Sequence, residues 1–250
     1  LYLPLLLAHR LVVNSRFSLD VLAESWPSLK RRGRVVYNGV PGPVSPRPPR
    51  SDLAPPVRLL FLGRLSPRKG PDVALRALVQ LLRTDPGRFR LGLLGAVFPG
   101  YEWFEGELRE FVAREHLDEA VDFLGFDPDI WGHLAASDIV VVPSTVDEPF
   151  GNTAVEAMLA LRPLVVSETS GLKEAAAGYR TARLVRPGDP AALAAAVAEL
   201  VSAWTEVVAA SASDREAAMG RHSPDIYQEE LVAVLHDMVV AGPGSRLHRG

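Results

Sequence analysis

From residue 57 onward, short and nearly unbroken apolar runs alternate with longer segments whose apolar residues recur every three or four positions. The runs are Val57 to Leu62, Arg90 to Leu94, Val121 to Leu124, Ile139 to Val142, Leu164 to Val166 and Arg183 to Val185. Helical spacing predicts helices over Pro71 to Leu82, about Phe104 to Glu115, a short segment ending at Ala136, and Pro190 to about Ala203. Leu172 to Ala177 reads as a short turn. Strands that are apolar throughout are buried on both faces. Their alternation with helices predicts an α/β chain with a Rossmann-like, doubly wound parallel sheet. In such sheets ligands collect beyond the carboxyl ends of the strands.

Ahead of residue 57 the pattern is weaker. Leu11 to Ser15 (LVVNS) predicts a short buried strand, and Ser18 to Glu24 a helix capped by Ser18 or an earlier residue. Arg34 to Tyr37 predicts a second strand, ending in the Asn38-Gly39 turn. Residues 1–40 are expected as the remnant of a second α/β domain. Pro41 to Pro56 is too rich in proline for a helix or a central strand, so it is expected as a semi-rigid linker and domain boundary. That leaves 57–222 as the main domain. Pro224 to Val240 places Tyr227, Leu231, Leu235 and Met238 on one stripe, which predicts an amphipathic helix over 223–240. Residues 241–250 are expected to be disordered. The opening LYLPLLLAHR is broken by a proline and lacks a basic leader or a cleavage pattern. It reads as the truncated end of a buried element rather than a signal peptide, and without an initiator Met the chain is expected to be a fragment. No stretch is long enough to cross a bilayer.

Composition narrows the function classes. The chain has 250 residues, of which 48% are apolar and 23% charged, in the range of ordinary globular domains. A net charge of −3 leaves no electrostatic footprint for DNA or RNA. Cysteine is absent, which excludes disulfides and thiolate metal sites and fits a reducing compartment. The six histidines (His9, His116, His133, His222, His236, His248) show no HExxH or paired metal spacing and are expected to be structural or surface groups. The chain contains no GxSxG, no GxxxxGK[ST] and no GxGxxG, which argues against serine hydrolases, P-loop ATPases and dinucleotide oxidoreductases or epimerases.

Two segments on the predicted ligand edge carry chemistry. Gly63-Arg64-Leu65-Ser66-Pro67-Arg68-Lys69-Gly70 puts cations into a turn directly after the first main strand. A diphosphate needs such compact positive charge, close backbone approach at glycine, and a helix N-terminus nearby. The second segment runs from Glu148 to Glu156 (EPFGNTAVE). Pro149 and Gly151 place Glu148 in a loop, while Glu156 falls in the first turns of the next helix. Asn152 and Glu156 then share a face, and the Glu156 carboxylate leans back towards the unpaired amides of Asn152 and Thr153. A phosphate fits on those amides while a carboxylate beside it holds sugar hydroxyls. The outline is a nucleotide-sugar site in which the RKG bend and the FGN turn face each other across one crevice. Phe150 belongs either to that site or to the core beneath it. Asp147 is either a plain loop charge or a second acid for hydroxyl recognition. Asp127-Pro128-Asp129 has the form of a metal-holding DxD. Its proline at the expected first helical position reads instead as helix-start chemistry, with Asp127 before it and Asp129 in the first turn.

With these motifs the chain resembles the retaining glycosyltransferases of family 4, which have the two-domain GT-B architecture. VVYNGV, FLGRLSPRKG and SDIVVVPSTVDEPFGNTAVEAMLA match that family in order and spacing, the last as its E-x7-E motif, over roughly Leu11 to Val240. The resemblance implies that this chain is mainly the carboxyl-terminal, donor-binding half. It implies that Arg64, Lys69 and the amides of Asn152 and Thr153 bind the donor diphosphate, with Gly63 and Gly151 allowing close approach. Glu148 is then expected to hold hydroxyls of the donor sugar, Phe150 to belong to the donor site, and Glu156 to hold the ribose. Glu148, Arg64 and Lys69 are the residues expected at the reacting centre, in a transfer with anomeric retention and no cofactor or obligatory metal. The 223–240 helix resembles the family's crossover helix, returning to an amino-terminal domain that is mostly missing. The implied partners are a nucleotide-diphosphate-sugar donor and a hydroxyl acceptor: a glycan, a lipid or a small molecule. The implied location is the cytoplasm, with peripheral contact at the membrane where the acceptor is a lipid. Lacking the family's Gly-rich loop and catalytic-region histidine, the chain is expected to bind a nucleotide but to transfer sugar poorly. A non-catalytic nucleotide-sugar or glycan-binding module is the alternative. Leu161-Arg162-Pro163 stands where the family usually has glycine, so a different turn is expected there.

Overall fold

A computed structural model describes residues 3–241. The six predicted apolar runs all form strands: β3 (Val57–Leu62), β4 (Phe89–Leu94), β5 (Val121–Gly125), β6 (Ile139–Val142), β7 (Leu164–Ser167) and β8 (Ala182–Val185). They make one sheet in the order β5-β4-β3-β6-β7-β8, and every neighbouring pair is parallel. Alternation of side chains along a strand splits the core in two. Leu59, Phe61, Leu91, Leu93 and Val141 pack with α3 (Pro71–Thr84), α4 (Glu102–Arg114) and α8 (Pro190–Ser202). Leu60, Leu94, Val140, Val142 and Val166 pack with α5 (Ile130–Ala136), α6 (Asn152–Leu159) and α7 (Ser170–Ala176). The doubly wound α/β expectation holds.

A smaller parallel sheet precedes it. β1 (Leu11–Val13) pairs with β2 (Gly33–Val35), joined by α1 (Arg16–Ser25) and α2 (Pro27–Arg32). The α1 cap is Ser15, whose hydroxyl accepts from the Ser18 amide. Residues 41–56 hold neither helix nor strand. They are nonetheless fastened to the main sheet through Arg50 and the buried Leu53.

Several expectations need correction. The opening segment is not a buried element: residues 3–7 form a 3-10 turn and Leu7 is exposed. Leu172 to Ala177 is not a turn, because α7 occupies it, entered from Thr169. The Asp127 reading shifts by two residues, since Asp129 caps α5 and Asp127 instead accepts from the Asp129 amide and pairs with His133. The stripe on α10 (Pro224–Ala241) turns inward at Tyr227, Leu231 and Val234, while Leu235 and Met238 are exposed. Of residues 241–250, expected to be disordered, Ala241 closes α10 and 242–250 lie outside the described residues. Among the described residues no single helix is long and apolar enough to cross a membrane.

The turn at Leu161, expected to differ from a glycine turn, instead takes the left-handed backbone that glycine ordinarily supplies after a helix. Leu161 adopts a left-handed φ of 62° after α6, a conformation that costs a side-chain-bearing residue roughly 1–2 kcal/mol. Glycine removes that strain but is more flexible when unfolded, by about 0.5–1 kcal/mol. Leu161→Gly is therefore expected to stabilise the chain slightly, by under about 1 kcal/mol, raising the Tm by about 1–3 °C. A lower Tm in thermal unfolding would show that the half-buried leucine contributes more through packing than its backbone costs.

Candidate functional site

The site is built where β3 and β6 end. After β3 the chain enters a 3-10 turn, Pro67–Lys69, and closes at Gly70, whose φ is 69°. A Cβ there would lie 2.1 Å from the Pro143 carbonyl oxygen, so only glycine lets the bend dock against the end of β6. Arg68 ties the two segments further, its carbonyl accepting from the Thr145 amide at 2.9 Å and its guanidinium donating to the Asp147 carbonyl at 3.2 Å.

That docking brings opposite charges together. Lys69 Nζ lies 2.7 Å from Glu148 Oε1, and Ser144 Oγ donates to the same oxygen at 2.8 Å. Glu148 is buried, with its backbone carbonyl accepting from the Gly171 amide at 3.1 Å. A Cβ on Gly171 would sit 2.2 Å from that carbonyl, so α7 reaches the loop only through a glycine. Gly151 then leads into α6, whose first amides, at Asn152 and Thr153, have no partner inside the helix. Their positive helix end opens on a cavity of about 240 Å³ lined by Lys69, Glu148, Phe150 and residues 151–153, with Asn14 and Asn38 on the amino-terminal side. Asn38 Nδ2 donates to Asn152 Oδ1 at 2.9 Å.

The RKG bend and the FGN turn thus share one crevice. Lys69, Glu148, Gly151, Asn152 and Thr153 meet there, and Gly63 lies beneath Lys69, its Cβ position 3.9 Å from Lys69 Cδ. Glu156 stands one turn along α6, outside the lining. Burial pushes its carboxyl above the usual range, and the Lys69 charge works against that shift. Arg64 is exposed and stacks over Phe98, 4.4 Å from the ring centroid, also outside the lining. Phe150 meets both of its readings: it lines the cavity, and its ring is buried and stacks on Tyr37 at 5.7 Å. Asp147 accepts from the Ser170 hydroxyl and amide, which hold its carboxyl below the usual range and tie it to α7. Among the described residues no group of three or more His, Asp or Glu is arranged to hold a metal ion.

Sequence reasoning did not single out Asn14, Asn38 or Gly171. Asn38 left a signal in the VVYNGV motif and Gly171 in the Thr169-Ser170-Gly171 helix start. His222 was expected to be structural. It is fully buried beneath the site, against Tyr37 and Phe150, with neither ring nitrogen hydrogen-bonded. Burial, then the Arg221 charge, push its pKa down to about 4. Between that value and the ordinary 6.5 the unfolded chain binds the proton and the folded chain does not. Stability is therefore full above pH 6.5 and falls as pH drops towards 4. Urea unfolding at pH 7.5 and 5 should show a His222-dependent loss of roughly 2 kcal/mol, absent in His222→Phe. An equal pH dependence in both chains would remove this account.

The family model for glycosyl transferases group 1 matches residues 56–203. The D-inositol 3-phosphate glycosyltransferase of Acidothermus cellulolyticus is 33% identical over 207 residues, 78% of this chain and 46% of that protein. The glycogen synthase of Mycobacterium tuberculosis is 37% identical over 172 residues, 65% of this chain and 38% of its own length. This chain therefore spans less than half of either relative. Anabaena HepE, solved in complex with UDP and glucose, superposes with a TM-score of 0.83 at 26% identity, covering 92% of this chain and 64% of HepE. The fold is the Rossmann-like parallel sheet of a GT-B carboxyl-terminal domain, with a smaller second sheet beside it. Because the family match takes in more than half of its residues, the chain belongs to the glycosyl transferases group 1.

Proposed function

We propose that this chain is the donor-binding half of a retaining family 4 glycosyltransferase. On this reading it holds a nucleotide-diphosphate sugar, whose sugar passes to a hydroxyl acceptor without a metal. The observation that carries the reading is the pairing of Lys69 with Glu148 at 2.7 Å beside the free amide end of α6. That crevice offers a cation and helix amides to a diphosphate, and a carboxylate to hydroxyls on its sugar side. Lys69 and the amides of Asn152 and Thr153 neutralise the leaving diphosphate, Gly151 lets it approach, Glu148 orients the sugar and Glu156 holds the ribose. Phe150 contributes by fixing the turn from beneath. Arg64 reaches the diphosphate by leaving Phe98, a contact worth only about 0.5–1 kcal/mol at an exposed site. The departing phosphate takes the acceptor's proton, which removes the need for a strong base in this half. Residues 57–222 form the donor unit, 1–40 and 223–240 belong with the acceptor side, and 41–56 join them.

Calorimetric titration with UDP, GDP and NAD tests the reading: a nucleoside diphosphate should bind, and binding of NAD alone would end it. The role of Glu156 has its own test. Glu156→Gln is expected to weaken a ribonucleoside diphosphate roughly tenfold and its 2′,3′-dideoxy analogue hardly at all, since a charge-assisted bond to a hydroxyl is lost. Equal weakening of both ligands would take Glu156 away from the ribose.

A further inference from the structure

Glu148 is held in place through its neighbours as well as its own carboxylate. Ser15, fully buried, lies between α1 and the FGN turn. Its hydroxyl accepts from the Ser18 amide at 2.9 Å, the ordinary capping bond, and donates across the molecule to the Pro149 carbonyl. Ser18 Oγ lies 2.9 Å away as a second acceptor; its own proton has Asn14 Oδ1 at 3.1 Å and, at the longer distance of 3.4 Å, the Pro149 carbonyl. The two carbonyls of the Glu148-Pro149 pair are therefore held by two different elements, Glu148 O by the α7 amide of Gly171 and Pro149 O by Ser15 at the start of α1. The seat of α1 is fixed independently. Glu174 on α7 accepts from the first amides of α1, Arg16 at 2.9 Å and Phe17 at 3.4 Å, and from the Tyr37 hydroxyl at 2.8 Å. A carboxylate at a helix start is favourable on charge grounds as well. Two anchored elements thus leave the loop little freedom, and a fully buried hydroxyl spends its donor on a carbonyl 134 positions away.

From this arrangement we infer that Ser15 is a positioning residue for Glu148: by holding the Pro149 carbonyl it fixes the loop so that the carboxylate faces Lys69 and the cavity. The amino-terminal segment then does more than border the site; it sets the geometry of the sugar-side acid.

Capping and positioning separate by substitution. Asp at position 15 keeps the cap but has no proton for Pro149; Ala loses both bonds; Thr keeps both. Amide hydrogen exchange of Gly171, whose bond to Glu148 O reports loop opening, is measured in the ligand-free protein. Ser15→Ala and Ser15→Asp are expected to speed it roughly five- to tenfold, and Ser15→Thr to leave it unchanged. A wild-type rate in Ser15→Asp beside a fast Ser15→Ala would reduce Ser15 to a cap. A wild-type rate in Ser15→Ala would overturn the inference outright. If the Asp chain does not fold, Ser15→Gly takes its place, since glycine is well tolerated at a helix start and has no proton for Pro149; a wild-type Gly171 rate there would overturn the inference. A second arm rests on the proposed function: UDP-glucose and UDP are titrated into each variant. Only the gain from the sugar should shrink, while UDP alone binds as before. Failure of the wild-type chain to bind UDP would remove the functional reading and leave the exchange result to stand.

Discussion

Lys69→Ala is expected to weaken binding of UDP by ten- to a hundredfold while leaving uridine unaffected. A charge-assisted hydrogen bond to a phosphate is worth about 1.5–3 kcal/mol, which converts to that range. Lys69 qualifies because its bend is held in place: Gly70 lets it pack against Pro143, and the Thr145 amide donates to the Arg68 carbonyl. The same ammonium is the counter-ion of Glu148, whose carboxylate keeps only the Ser144 hydroxyl once the lysine is gone. UDP-sugar binding should therefore fall at least as far as UDP binding. Calorimetry with uridine, UDP and UDP-glucose checks both points. An equal loss for uridine and UDP would put Lys69 away from the phosphates. No loss at all would leave the amides of α6 as sufficient.

Much of this site was legible because its determinants are local. Glycine at 70 and 151, proline at 149 and the acid spacing of Glu148 and Glu156 each dictate backbone or face without help from distant residues. The β-strands were equally plain, since a doubly covered parallel sheet demands unbroken apolar runs and tolerates little else. The largest omission is α9 (Trp204–His222), for which no helix was expected. Its buried positions include Ala210, Ser211, Asp214, Ala218 and His222, small or polar groups that carry no hydrophobic period. Asp214 is buried because it accepts from the Thr181 amide and hydroxyl, a partnership across 33 positions that no local pattern announces. Helix α2 was missed for a related reason: only Leu29 is buried in its six residues. The same limit applies at the site. Asn14 and Asn38 enter the cavity by tertiary packing, and Arg64 lies over Phe98 because the loop after β4 folds back beside Gly63.

Arg50→Ala is expected to cost about 3–5 kcal/mol, the range for stranding a buried charge. Asp138, 1% exposed, opens β6 and accepts from Arg50 Nε at 2.8 Å, Arg50 Nη2 at 2.6 Å and the Arg58 amide at 2.8 Å. Arg50 in turn donates to the carbonyls of Ala54 and Pro56, while its own carbonyl accepts from the Trp204 indole. One linker residue thus joins β3, β6 and the start of α9. Removing its side chain leaves a carboxylate in the core with a single amide for company. A second cation, Arg162, is itself buried, which lowers its pKa to about 10, and donates to the Arg47 carbonyl. It offers Asp138 some relief but no bidentate replacement. The cost should therefore be charge-borne, and the double variant Arg50→Ala/Asp138→Asn should recover at least half of it. Urea unfolding of the two variants decides the matter. If the double variant is no more stable than Arg50→Ala, the linker is held by the packing of Leu53 and Trp204, and the ion pair contributes only its geometry.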